Sequence, residues 1–226
     1  MPPVLYLVRH AEGFHNTAWH GNDIHDPFLT EHGKEQCAEL CKNFPHHDKI
    51  ELLMASPMKR TIQTCQLSFK PAVDRGLKIL LMSLAQEAST DFMDTGSGVD
   101  SIKEAYGDLV DTHRCEEVHP YWHRNVGLFA ADPTQQIERA RRLRNFIRDR
   151  PEKHVVLVSH GSFAHAITGN LSEEGEELTR MWENAECRSY TFDENSGDKA
   201  LVVETEESIK GRPDLEFKKK DSPLQA

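Results

Sequence analysis

The chain has 226 residues, 38% of them hydrophobic and 28% charged, a composition that fits one globular domain and excludes wholesale disorder. A formal charge of −10 argues against general nucleic-acid binding, which needs clustered Lys and Arg, and obliges any site for an anion to concentrate positive charge locally. No apolar run approaches the ~20 residues that cross a bilayer, and the start MPPVLYL has neither the basic region nor the cleavage site of a signal peptide, so a cytoplasmic chain without membrane contact is expected.

In chain order, Val4 to Val8 is an unbroken apolar run without polar alternation, the pattern of a strand buried on both faces. "LTEHGKEQCAELCKNF" predicts a helix with Thr30 as N-cap, Cys37, Leu40, Cys41 and Phe44 at helical spacing, and Pro45 as its stop. "IELLMAS" from Ile50 is a second buried strand. "SPMKRTIQTCQLSF" predicts a helix capped by Ser56 with Pro57 in its first turn. "KILLMSL" from Lys78 is a third strand. From Ala88 to Ala131 the periodicity breaks down, predicting an insertion that lies as a lid over the carboxyl edge of a sheet. "DPTQQIERARRLRNFIRDRP" places Ile137, Ala140, Leu143 or Arg144, and Ile147 on one helical stripe ending before Pro151. "HVVLVSH" from His154 is a fourth strand. The acidic run Ser172 to Leu178 is expected to start a solvated helix, and "CRSYTF" with "KALVVET" around "DENSGD" to form an antiparallel hairpin. Strands alternating with helices of this length predict an α/β fold with a largely parallel sheet covered on both faces. A single domain over residues 1–208, with the lid at about 88–131 and a flexible tail at 209–226, is the expected organisation.

In such a sheet, ligands bind beyond the carboxyl ends of the strands. Arg9 and His10 stand at such an end, and a lone His there would more often be a structural hydrogen bonder. Repetition changes the weight of the observation. "VVLVSHG" delivers Ser159, His160 and Gly161 to the same edge, "LLMASPMKR" delivers Arg60 one helical turn in, and "ILLMSLAQE" delivers Glu87. Two His, two Arg and one Glu suit phosphoryl transfer, whose transition state spreads charge over three equatorial oxygens. Arg9 and Arg60 offer planar forks of donors, and a protonated His160 would add another. His10 is then left as an in-line nucleophile, neutral because the neighbouring guanidinium groups disfavour a further cation. Glu87 can protonate the leaving oxygen and later activate water, provided it starts protonated. With the arginines supplying the charge, neither metal nor other cofactor is required.

"LVRHAEGFHN", "SPMKRTIQT", "LAQE" and "LVSHGS", in this order over Val4 to about Phe192, resemble the histidine phosphatase superfamily in its phosphoglycerate-mutase-like branch, and most of all its uncharacterised fungal members. The resemblance implies a three-layer α/β/α sandwich. It also implies phosphorylation of His10, a phosphate pocket of Arg9, Arg60 and His160, acid/base work by Glu87, and a further substrate contact from Asn16, with Gly161 beside it. Two departures stand out. Ala11 replaces the usual Gly, and Gly13-Phe14-His15-Asn16 replaces the Ser-x-Trp-Asn of the mutases. The lid, with Arg114 and Arg124 as its two arginines, carries no basic cluster for a second phosphate. Hydrolysis of a small phosphomonoester is therefore the leading reading. A phosphoglycerate-type mutase, a phospholigand-binding regulator and a non-phosphate enzyme reusing the pocket are its alternatives.

Several other features have plainer readings. His15, His20 and His25 recur every five residues and share no helix face, so they are read as surface or loop histidines instead of metal ligands. The five Cys are scattered without a CxxC and are expected to be reduced thiols. Asp94 to Gly98 could form an anion nest or a lid hinge. Ser162 lacks the first Gly of a hydrolase elbow. Phe14, Phe92, Tyr106 and Trp122 are candidates for either the pocket wall or the core.

Overall fold

A computed structural model describes residues 1–17, 21–118 and 121–212. The first apolar run becomes β1 (Val4–Arg9), followed by the single-turn α1 (Phe14–Thr17), α2 (Glu31–Asn43), β2 (Leu52–Ala55), α3 (Lys59–Ser68), α4 (Lys70–Asp74) and β3 (Ile79–Leu81). Next come α5 (Val99–Tyr106), the two-residue β4 (Val110–Asp111), α6 (His113–Glu116), α7 (Pro133–Arg148), β5 (His154–Ser159), α8 (Gly161–Ile167), β6 (Cys187–Phe192), β7 (Val202–Glu204) and α9 (Glu206–Lys210). The seven strands form one sheet in the order β4-β3-β2-β5-β1-β6-β7. The first five in that order run parallel, and the β6–β7 hairpin is antiparallel at one edge.

Because side chains alternate across a strand, β1 and β5 feed both faces. Tyr6, Val8, Val156 and Val158 pack with Ile62 and Cys65 of α3. Leu5, Leu7, Val155 and Leu157 pack with Ala140, Leu143 and Ile147 of α7 and Phe163 of α8. Two apolar layers on one sheet give the three-layer α/β/α sandwich that the resemblance implied.

Local signals account for much of this. Thr30 caps α2 through the Gly33 amide at 2.9 Å, and Asp132 caps α7 through the Gln135 amide at 3.1 Å, with Pro133 opening the helix. The α7 stripe is mixed. Ala140, Leu143 and Ile147 are buried, Ile137 is half-buried, and Gln136, Arg139 and Arg144 share the inner face. Arg144 satisfies its burial by donating to the carbonyls of Ala166, Ile167 and Lys199.

Four expectations need correction. Helix α3 starts at Lys59, not after Ser56: the Ser56 hydroxyl is taken by His160 at 2.8 Å, and the Lys59 amide is capped by Asp26 Oδ1 at 2.9 Å. The 88–131 segment is more than a lid. It supplies β4 to the sheet, where Val110 pairs with Ile79, and buries Val99, Ile102, Trp122 and Phe129 in the core. Residues 172–178 form a turn closed by a Leu171–Glu177 bridge, with Gly175 at φ 85°, instead of a helix start. The expected tail from Ile209 begins as helix α9, capped by Thr205, and Arg212 is ion-paired with Glu186 and Glu204; residues 213–226 lie outside the described part. Among the described residues, no helix is long and apolar enough to cross a membrane.

Candidate active site

The carboxyl ends of β1 and β5 are in register, Arg9 opposite Ser159, so the next residue of each strand, His10 and His160, meets the other across the gap. The His10 amide donates to the Ser159 carbonyl at 2.9 Å, and the two imidazole rings lie 5.3 Å apart, edge to face. From the end of β2, Ser56 leads into α3 and places Arg60 beside them: Arg60 Nη2 is 3.1 Å from His160 Nδ1.

The tautomers follow from the partners. His10 Nδ1 lies 2.7 Å from the Ala11 carbonyl oxygen, which can only accept, so the proton is on Nδ1 and the lone pair on Nε2. Burial, then Arg60, His15 and Arg9, hold the His10 pKa well below the usual imidazole range. His160 has the opposite tautomer. A guanidinium can only donate, so His160 Nδ1 accepts from Arg60 while Nε2–H donates to Ser56 Oγ at 2.8 Å. Burial and Arg60 keep this ring neutral too, which corrects the expectation of a cationic His160: in this structure it orients Arg60.

Glu87 is held on three sides. Its Oε1 accepts from the Phe163 amide in the first turn of α8 at 3.0 Å and from the Ala88 amide at 2.8 Å. Its carbonyl accepts from Arg139 Nη2 at 3.1 Å. The preceding loop is tied down where Ser159 Oγ donates to the Ala85 carbonyl at 2.8 Å and Gln86 donates to Asn125 at 2.7 Å. Burial, reinforced by the negative charge of Asp94, pushes the Glu87 carboxyl up to about 7.

Arg9 donates through Nη1 to the Trp182 carbonyl, and its Nε is buried without a protein partner. It reaches across Gly161, where a Cβ would fall 3.1 Å from Arg9 Nε and 2.9 Å from Met181 Sδ. Arg60 donates to Asp94 Oδ1 at 2.6 Å and to the Met93 carbonyl at 2.9 Å, keeping a buried Nε–H unpaired. Asn16 is exposed, one residue beyond His15, with its Oδ1 accepting from the Gly13 amide at 3.0 Å. Ala11 fits without strain: it is buried, its φ is not left-handed, and its amide donates to Thr64 Oγ1 at 3.0 Å.

Residues 5–205 match the profile of the histidine phosphatase superfamily (branch 1). The chain belongs to this family. A probable phosphatase of Schizosaccharomyces pombe is 28% identical over 160 residues, 70% of this chain and 73% of its own length. A phosphoglycerate mutase-like protein 1 of Arabidopsis thaliana is 25% identical over 230 residues, 85% of this chain and 82% of its own. The crystal structure of an ecdysone phosphate phosphatase from Bombix mori in complex with tungstate shares the fold, with TM-score 0.56 and 13% identity over 89% of this chain and 92% of that one. Superfamily membership places the chain among phosphatase or mutase enzymes.

Arg9, His10, Arg60, Glu87 and His160, the residues expected from the strand ends, lie together in the structure, and others join them without a strand-end signal. His15 was read as a loop histidine, yet its ring lies 5.3 Å from His10. Asp94 was noted for the glycines beside it, not for its carboxylate. Arg139, fully buried under Glu87 and 4.0 Å over the Phe163 ring, carries no signal in the helical pattern of its segment, which picks out Ile137, Ala140, Leu143 and Ile147. Of the ambiguous aromatics, Trp122 belongs to the core and the half-buried Tyr106 packs against it, whereas Phe14 and Phe92 are half exposed. Among the described residues, no group of three or more His, Cys, Asp or Glu side chains is gathered as a metal site would need.

Proposed function

We propose that the chain hydrolyses a small phosphorylated metabolite through a phosphohistidine on His10. The observation that carries this reading is the Nδ1–H to Ala11 carbonyl bond, because it leaves the Nε2 lone pair of a neutral ring beside Arg9 and Arg60. In the first step Nε2 attacks phosphorus, the ester P–O bond breaks, and the Glu87 proton passes to the leaving oxygen. In the second, the Glu87 carboxylate takes a proton from water, the water oxygen attacks phosphorus, and the P–N bond breaks to release phosphate and neutral His10. Arg9 and Arg60 bear the charge on the equatorial oxygens, with His160 aiming Arg60. Asn16 and Gly161 complete the substrate contacts, and the arginines make a metal unnecessary.

Hydrolysis is favoured over the mutase reading by the lid arginines. Arg114 is engaged by Glu117 at 2.8 Å and stacks over Phe146, and Arg124 is exposed to solvent, so neither builds a second phosphate clamp. Rapid acid-free quenching after incubation with a ³²P-labelled monoester tests the reading. Acid-labile, base-stable label is expected on the wild type and absent from His10→Ala; label persisting in the variant would refute it.

A further inference from the structure

Three imidazoles, not two, converge at the end of β1. The His15 ring lies 5.3 Å from that of His10, the same separation as between His10 and His160. Two glycines hold it there. A Cβ on Gly13 would fall 2.8 Å from His15 Nδ1 and Cε1, so the ring folds back into space that a side chain would fill. A Cβ on the buried Gly21 would fall 2.2 Å from the His15 carbonyl oxygen, so this second glycine presses against the backbone that carries the ring.

The electrostatics of that position are unusual for a loop histidine. Burial, then Arg60 and Arg9, push the ring down to about 3, so it is neutral at any physiological pH and carries one N–H donor and one lone pair. Its Nδ1 is buried and makes no hydrogen bond within the protein. Buried polar atoms are almost always paired, and those that are not concentrate where function requires them. Here the atom lies within the field of both guanidinium groups of the pocket.

We propose that His15 contacts the substrate, its ring N–H donating a hydrogen bond to a non-bridging oxygen of the transferring phosphoryl group beside the forks of Arg9 and Arg60. The inference rests on the phosphohydrolase reading for the place of that group. The two arginines supply charge, and the neutral ring supplies a directed donor without a further positive charge. That division suits a single phosphate and leaves His10 free to remain neutral.

The test compares His15→Ala, His15→Asn and His15→Gln with the wild type and with His10→Ala, measuring the calorimetric affinity for inorganic orthophosphate, turnover of p-nitrophenyl phosphate and the melting temperature. The amide of Asn overlays Nδ1 and that of Gln overlays Nε2. His15→Ala is expected to weaken orthophosphate binding by about 10- to 100-fold and to lower kcat/KM at least as much, as loss of a donor to a developing oxyanion does. One of the two amides should recover part of the loss, and the size of the defect should be constant from pH 5 to 8. Loss of phosphate affinity at an unchanged melting temperature supports the inference even where neither amide recovers it. Wild-type affinity and turnover in His15→Ala overturn it, as does an equal loss in all three variants that tracks a fall in melting temperature, the mark of a purely structural ring. Full turnover in His10→Ala together with weakened phosphate binding in His15→Ala would refute the phosphohistidine step and leave this inference standing.

Discussion

Arg60 Nη2 and Asp94 Oδ1 lie 2.6 Å apart with both side chains buried. The second oxygen of Asp94 accepts from Ser89 Oγ at 2.5 Å, so the pair ties α3 to the segment that follows Glu87. A buried ion pair is weak evidence for stability because desolvation offsets much of the attraction. Its consequence here is chemical: Asp94 fixes the guanidinium and, after burial, is the main reason the Glu87 carboxyl is raised. Asp94→Asn keeps an acceptor for Arg60 and removes the charge. The alkaline limb of kcat/KM is expected to move to lower pH in this variant, because Glu87 then ionises more readily. Asp94→Ala should in addition destabilise the fold by about 3 kcal/mol, since the buried Arg60 keeps its bonds to the Met93 carbonyl and His160 but loses its carboxylate counter-charge. A pH–rate profile unchanged in Asp94→Asn would contradict this account.

On the proposed mechanism Glu87 sets the alkaline limb itself. With the carboxyl at about 7, the proton needed by the leaving oxygen is present below that pH and lost above it, so kcat/KM corrected for substrate ionisation should fall as pH rises through 7. The acid limb should come late, because His10 accepts a proton only well below the usual imidazole range. Glu87→Gln should abolish the alkaline limb and lower the rate by roughly 10²–10⁴-fold for an alkyl ester, less for p-nitrophenyl phosphate, whose leaving group needs little protonation. A wild-type alkaline limb retained in Glu87→Gln would assign that limb to another group.

What the sequence made legible was whatever lies on a strand or directly beyond it. β1 and β5 announce themselves as apolar runs, and their shared register makes the juxtaposition of His10 and His160 readable. The features missed are those made by non-local packing. Ser56 carries the local signature of a helix cap, but its hydroxyl serves His160, 104 positions away, and the cap comes instead from Asp26. Asp94 meets Arg60 across 34 positions with no pattern connecting them. β4 is two residues long, too short for any periodicity, and exists because β3 offers it an edge. The five-residue spacing of His15, His20 and His25 carries no information on the His15 ring, which is placed by the small size of Gly13.

Gly161 offers a conservative test of Arg9. Its backbone does not need the left-handed region, so Ala is tolerated conformationally, but the added methyl would contact Arg9 Nε and Met181 Sδ. Met181 is 43% exposed and can move aside. Gly161→Ala is therefore expected to fold with a melting temperature near that of the wild type and to raise KM for phosphomonoesters by about 10-fold, the cost of displacing one charge-assisted hydrogen bond. Unchanged KM would show that Arg9 reaches the substrate by another path.

Acidification should weaken the fold. His10, His15 and His160 are all held below the ordinary imidazole pKa of 6.5 by burial and by the arginines. Below that pH the unfolded chain takes up protons that the native state refuses, so stability falls as pH drops; above it these rings contribute no pH dependence. Glu87 acts in the opposite sense, binding a proton in the native state from about 7 down to its ordinary 4.5. From the pocket groups alone, three imidazoles against one carboxyl give the unfolded chain a net uptake of about two protons, a slope of roughly 3 kcal/mol per pH unit near pH 5, and His154 and His165, also held below the ordinary imidazole range by burial, steepen it further. Urea denaturation at pH 7, 6 and 5 measures it, and His10→Gln, which cannot be protonated, should flatten the slope by about one proton's share, on the order of 1 kcal/mol per pH unit. A stability flat between pH 7 and 5 would mean that these rings protonate in the folded protein, and a protonated His10 has no lone pair on Nε2 with which to attack phosphorus.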